Sequence, residues 1–152
     1  MAKDIEADTG EGSVDHILIG LPSIKDQLLH IHRESNERAV KQLEENLRAP
    51  FFHRPDDFDK SVFSFKHLRR EDEGWERPAP QVITSYFRHF QKVAPEYGTD
   101  KKLAKLLGLS SDRRVREYKE GQRNIPYAVW RRFLVVTGQV PQDVLPVIVM
   151  IA

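Results

Sequence analysis

The sequence predicts a mainly all-α protein with at most one short strand. Three observations carry that expectation. Apolar residues recur at helical spacing in residues 23–49, 81–93, 100–107, 111–120 and 126–138. Glycine and proline fall between these stretches or at their ends, at Pro50, Pro95, Gly98, Gly108, Gly121, Pro126 and Gly138. The chain is 152 residues long and has no cysteine, so it needs a packed core and has no disulfide framework or Cys-based zinc site.

Residues 1–13 are acidic, contain Gly10 and Gly12, and are expected to be disordered. They lack the apolar core of a signal peptide, and no apolar run approaches the ~20 residues of a membrane span. With no cysteine in the chain, a cytoplasmic protein without a membrane partner is the expectation. The run from Val14 to Leu21 is compatible with either a strand or one helical turn.

Residues 23–49 read as a long helix. Ser23 and Asp26 make a start resembling a capping box. Ile24, Leu28 and Ile31, then Ala39, Val40, Leu43 and Leu47, are expected along one side, interrupted by a polar middle from Arg33 to Arg38. That stripe either packs within the chain or pairs with a second copy. Residues 50–80 change character: Phe51, Phe52, Phe58, Phe63 and Phe65 alternate with charges, and Pro50, Pro55, Pro78 and Pro80 punctuate. Residues 61–68 are the candidate strand, and 69–77 a charged loop around Gly74 and Trp75. Residues 14–80 form a helical and irregular region suited to dimerisation or a protein partner.

Residues 81–152 are expected to form a separate five-helix domain. Val82, Ile83, Tyr86, Phe87, Phe90 and Val93 line its first helix. Thr99 caps the second, whose stripe is Leu103, Ala104, Leu106 and Leu107. Gly108 ends it and Leu109 plugs the core. Ser110 or Ser111 caps the third, with Asp112 in its first turn. Val115 and Tyr118 are its buried edge, and Arg113, Arg116, Glu117 and Glu120 point the other way. Pro126 opens the fourth, with Tyr127, Val129, Trp130, Phe133, Leu134 and Val136 apolar. Residues 142–150, interrupted by Pro146, are the fifth.

The formal net charge is +1. Residues 81–152 carry 12 Lys/Arg and 6 Asp/Glu, or +6; residues 1–80 carry 12 and 17, or −5. A basic segment coinciding with two short helices and a glycine turn is the footprint of a nucleic-acid module.

The block resembles lambda-repressor-like (Xre-type) helix-turn-helix domains. Leu103-Ala104, Leu107-Gly108 and Ser110 match the family's helix-and-turn pattern, and Val115, Tyr118 and Gly121 its recognition-helix positions. The run Ile125-Pro126-Tyr127-Ala128-Val129-Trp130 looks like a variant met in regulators carried by phages and other mobile elements. The resemblance covers about residues 81–145. Two features depart from it. The interval from Gly108 to Gly121 is one residue longer than usual, and Asp100 stands where glutamine is customary.

The resemblance implies sequence-specific binding of double-stranded DNA by a transcriptional regulator or repressor, acting as a homodimer on a pseudo-palindrome. Candidate base contacts are Ser111, Asp112, Arg113, Arg116 and Glu117; guanidinium suits guanine O6/N7, and a carboxylate accepts from cytosine N4. Candidate phosphate contacts are Lys101, Lys102, Lys119, Arg123 and Asn124. A protein-interaction module using the same fold as scaffold is the alternative.

No enzyme or cofactor is expected. His30 and His32 are about 200° apart on a helix and poorly placed to share a metal; a site with His16 and His53 is conceivable, but none is expected. Pro55-Asp56 is not followed by the Asp/Glu-x-Lys of a nuclease core at Lys60 or Lys66. No glycine-rich phosphate loop or nucleophile elbow is present.

Overall fold

The computed structural model describes residues 20–55 and 62–152. The acidic segment 1–13, the run before Gly20 with His16, and residues 56–61 with Phe58 and Lys60 lie outside the described residues. Those described form five α-helices and three short 3₁₀ turns, with no strand. The helices are α1 (Ile24–Asn46), α2 (Pro80–Val93), α3 (Asp100–Leu106), α4 (Asp112–Glu120) and α5 (Tyr127–Val136). The protein is all-α in this sense. It divides into two compact units, Met1–Ala49 with Ile148–Ala152, and Pro50–Val147.

In the first unit, the Ser23 hydroxyl accepts the Asp26 amide at 3.1 Å and caps α1. None of α1's residues is buried. Its apolar residues do not lie along one side. At about 100° per residue, Ile24, Leu28 and Ile31 share one stripe, and Val40, Leu43 and Leu47 another roughly 125° away. The nine-residue interval from Ile31 to Val40 causes the offset, because it is two turns and a half.

The second unit is built on a shared core. Val82, Ile83, Tyr86 and Phe87 of α2 meet Leu103 and Ala104 of α3, Val115 and Tyr118 of α4, and Trp130, Phe133 and Leu134 of α5. Phe87 and Phe133 meet edge to face at 4.9 Å, and Phe133 stacks on Trp130 at 5.3 Å. Such aromatic pairs contribute about 0.5–1.5 kcal/mol each beyond area burial.

Residues 62–79 pack as a strap on these helices. The expected strand is absent from the described part of 61–68. Phe65–Leu68 is instead a 3₁₀ turn started by the Ser64 hydroxyl, which accepts the Lys66 amide at 3.1 Å. That turn brings His67 rather than Phe65 inward: His67 is buried and Phe65 about half exposed. Trp130 donates its indole N–H to His67 Nδ1 at 3.3 Å. Burial first, then the Arg54 charge, pushes the His67 pKa down to about 4, so the ring is neutral and accepts this bond. Arg77 Nε donates to the Ile125 carbonyl, and Trp75 meets Tyr127 edge-on.

The expected fifth helix over residues 142–150 does not form; the segment has no regular secondary structure and is mostly exposed. Pro146 supplies no N–H, and it drives Leu145 away from helical backbone. Val144, Val147, Ile148 and Val149 are β-branched and add little helical preference. The segment's root is nevertheless anchored. Arg131, buried in α5, forks onto Asp143 at 3.0 and 3.1 Å and donates to the Leu68 carbonyl at 3.2 Å. One guanidinium thus ties the strap, α5 and the 141–143 segment together.

Candidate nucleic-acid interface

Helices α3 and α4 are joined by residues 107–111. Gly108 turns the chain with φ of 71° and so lets the Leu109 amide reach back to the Ala104 carbonyl at 2.8 Å. Thr99 caps α3 through the Lys102 amide at 3.3 Å. Arg132 Nε closes the other end of α3, donating to the Leu106 carbonyl at 2.7 Å. Val115 and Tyr118 fix the inner face of α4 in the core, and Thr84 Oγ1 of α2 donates to the Lys119 carbonyl at 2.9 Å. Helix α4 is therefore held by the core on its inner face and by α2 near its C-terminal end.

The outer face of α4 carries arginines matched to carboxylates one helical turn away. The Arg113 side chain is 80% exposed, and its Nε donates to Glu117 Oε1 at 2.8 Å. Arg116 Nη1 donates to Asp112 Oδ2 at 2.7 Å. This bond from Arg116 holds the Asp112 carboxyl below its ordinary range. Ser111 is the N-cap residue of α4 by its backbone, but its side chain makes no capping bond and it stays exposed.

Glu117 behaves differently from the other four candidate base contacts. Its side chain is 12% exposed, because Arg113, Arg123 and Arg114 gather around it at 2.8, 3.1 and 3.9 Å. Arg123 gets there because Gly121, in left-handed conformation, turns the chain after α4. The amides of Gln122 and Arg123 then both point to the Glu117 carbonyl. Desolvation pushes the Glu117 carboxyl up, but the bond from Arg113 and the charges of Arg113 and Arg123 outweigh it and hold it below the usual glutamate range.

The candidate phosphate contacts separate into two groups. Lys101 and Lys102 are exposed on the first turn of α3, and Arg123 and Asn124 are exposed beyond α4. Arg123 and Asn124, with Ser110 and Arg114, rim a shallow cleft of about 440 Å³ floored by Leu109, Tyr118, Pro126 and Val129. Lys119 is not among the outward cations. Its side chain is 15% exposed, and its amine bonds Asp100 Oδ1 at 2.6 Å and Gln91 Oε1 at 3.2 Å. Gln91 Nε2 also donates to Asp100 at 3.0 Å. Burial pushes the Asp100 carboxyl up, but its bonds to Lys119 and Gln91 bring it below the ordinary value. This triad clamps α2, α3 and α4 together.

Arg114 and Arg132 are cations of this region that helical periodicity alone did not single out. Arg114 follows Arg113 in a charged run, but its place at the cleft depends on the loop after Gly121. Among the described residues no group of three His, Asp or Glu is placed to hold a metal ion, and no helix is long and apolar enough to cross a membrane. No protein-family model, curated protein or solved structure matches the chain.

Proposed function

We propose that the chain is a sequence-specific binder of double-stranded DNA, a transcriptional regulator whose α3 and α4 act as a helix-turn-helix of the lambda-repressor-like type. The observation that carries this reading is the outer face of α4. Val115 and Tyr118 anchor the helix from behind, while Arg113 and Arg116 project from it with side chains 80% and 51% exposed. A helix so mounted fits the major groove, where a guanidinium can pair bidentately with guanine O6/N7. Lys101 and Lys102 on one side, and Arg123 and Asn124 on the other, are suited to the flanking phosphates. Asp100, in place of the customary glutamine, serves here by holding Lys119 and Gln91.

A single module of this size makes a small footprint, so the reading includes a two-fold dimer on a pseudo-palindromic operator. The test is selection of bound duplexes from a random pool by the wild type and by an Arg113→Ala, Arg116→Ala variant. The proposal expects an enriched motif with two half-sites that disappears in the variant. No enrichment at low salt would overturn it.

A second reading, a protein-interaction module, is favoured by one observation. Ile24, Ile31 and Val40 of α1 and Leu47 at its C-cap are all more than half exposed, and α1 has no buried residue. Such a helix suits a partner's groove or a second copy. A salt-insensitive complex with protein and none with DNA would favour this reading over the first.

A further inference from the structure

We infer that Glu117 is a positioning residue that sets sequence discrimination on α4 and does not itself read a base. The inference rests on the DNA-binding reading above. The carboxylate divides its two oxygens between two guanidinium groups: Oε1 takes Arg113 Nε at 2.8 Å and Oε2 takes Arg123 Nε at 3.1 Å. In both cases the bond is made through Nε. The two terminal nitrogens of Arg113 have no hydrogen-bond partner among the described residues.

A guanidinium held by Nε cannot rotate freely about its last bonds, and its Nη pair points away from the holder. That pair is the fork that matches guanine O6 and N7. Glu117 therefore fixes Arg113 in an orientation suited to a base edge and lowers the entropy lost on binding. The same carboxylate offsets the charge of Arg113, Arg114 and Arg123, which weakens their attraction for phosphate on any sequence. Both effects act in one direction: they favour the correct base edge over unspecific backbone contact.

Glu117 has little capacity left for cytosine. It is 12% exposed and three arginines surround it. Its backbone carbonyl is also engaged, accepting the Gln122 and Arg123 amides at 3.0 and 3.3 Å. Side chain and main chain of one residue thus shape both the helix face and the loop behind it.

Glu117→Gln tests this. The amide keeps the shape but offers one acceptor oxygen in place of two and no charge. The selected duplex and a scrambled duplex of equal length are titrated with wild-type chain, Glu117→Gln and Glu117→Asp over a salt series. In parallel, the Arg Nε–H resonances of the DNA-free proteins are recorded by ¹⁵N-correlated NMR. The expectation is that Glu117→Gln binds the scrambled duplex about 3- to 10-fold more tightly, with a salt slope steeper by about one. Its specificity ratio falls about tenfold, and Glu117→Asp recovers part of it. The Arg113 and Arg123 Nε–H signals move to solvent-exchanging positions in Glu117→Gln.

Weaker cognate binding with unchanged scrambled-duplex affinity and slope would overturn the inference, since a direct base contact behaves that way. Unchanged Nε–H signals would overturn it as well. If those signals move but no duplex is bound by any form, the DNA-binding reading fails and with it the role of Glu117 in discrimination, while the arginine-holding geometry stands.

Discussion

Replacing Gly121 by alanine measures how tightly α4 is seated against α2. Two costs add. Gly121 has φ of 74°, a backbone region that costs an L-residue roughly 1–2 kcal/mol. A Cβ there would also sit 2.9 Å from Pro80 Cγ and 3.4 Å from Pro80 Cβ, at the first turn of α2. A proline ring has little freedom to retreat, and overpacking of this kind costs about 1–3 kcal/mol. Gly121→Ala is thus expected to destabilise by about 2–5 kcal/mol. Gly108→Ala is the internal control: φ is 71°, but no atom lies within 4 Å of its Cβ position, so only the backbone cost of ~1–2 kcal/mol applies. Urea denaturation followed by tryptophan fluorescence gives both values. Pro80→Ala removes Cγ, so the pair Gly121→Ala, Pro80→Ala should recover about 1 kcal/mol or more in a double-mutant cycle. Equal costs at the two glycines, or strict additivity with Pro80→Ala, would refute the reasoning.

Three further outcomes are expected. The His67 pKa is about 4 in the fold against an ordinary 6.5, so the unfolded chain takes up a proton first as pH falls. Stability should therefore be insensitive to this group above pH 6.5 and fall between about pH 6.5 and pH 4, by at most about 3 kcal/mol; His67→Gln should flatten the decline measured by denaturation from pH 7 to 5. Lys119→Met should lower the denaturation midpoint while leaving the salt slope of DNA binding unchanged, whereas Lys101→Ala or Lys102→Ala should each reduce that slope by about one without affecting stability. Arg113→Ala should cost about 1–3 kcal/mol on the selected duplex and relax preference at one base pair, as read by repeating the selection with the variant.

The parts of the fold visible in the sequence are those encoded by local periodicity. Val82, Ile83, Tyr86 and Phe87 recur at helical spacing and are buried together; so are Val115 and Tyr118. Thr99 caps α3 through its hydroxyl, an interaction contained within four residues. Features that depend on distant partners were not visible. The His67–Trp130 bond and the Arg131–Leu68 bond each span 63 residues, so the strap reads from sequence only as an irregular segment. Pro146 argues against a helix over residues 142–150, but the near-continuous apolar content of that stretch masks its effect. Lys119 shows the limit most clearly. Its position on α4 marks it as a cation near the proposed recognition surface, and only the placement of Asp100 and Gln91 turns it inward.

The formal charge of +1 is less at odds with DNA binding than it looks. Non-specific affinity scales with the number of phosphates neutralised, so a protein relying on it needs a large unpaired positive field. Here Arg116 and Arg113 of α4 are each paired in advance with a carboxylate, Asp112 at 2.7 Å and Glu117 at 2.8 Å. What α4 offers is oriented donors more than bulk charge. Unpaired cations are then confined to the edge, chiefly Lys101 and Lys102 on α3, while Arg123 beyond α4 shares Glu117 with Arg113. Counting those two lysines as the phosphate contacts of one protomer gives a salt slope of roughly −2 per protomer, shallow for a DNA reader. Measured affinity against log salt for the selected duplex decides between the two designs. A slope near −6 per protomer would mean that the carboxylates release their arginines to phosphate on binding, and that orientation is not what α4 contributes.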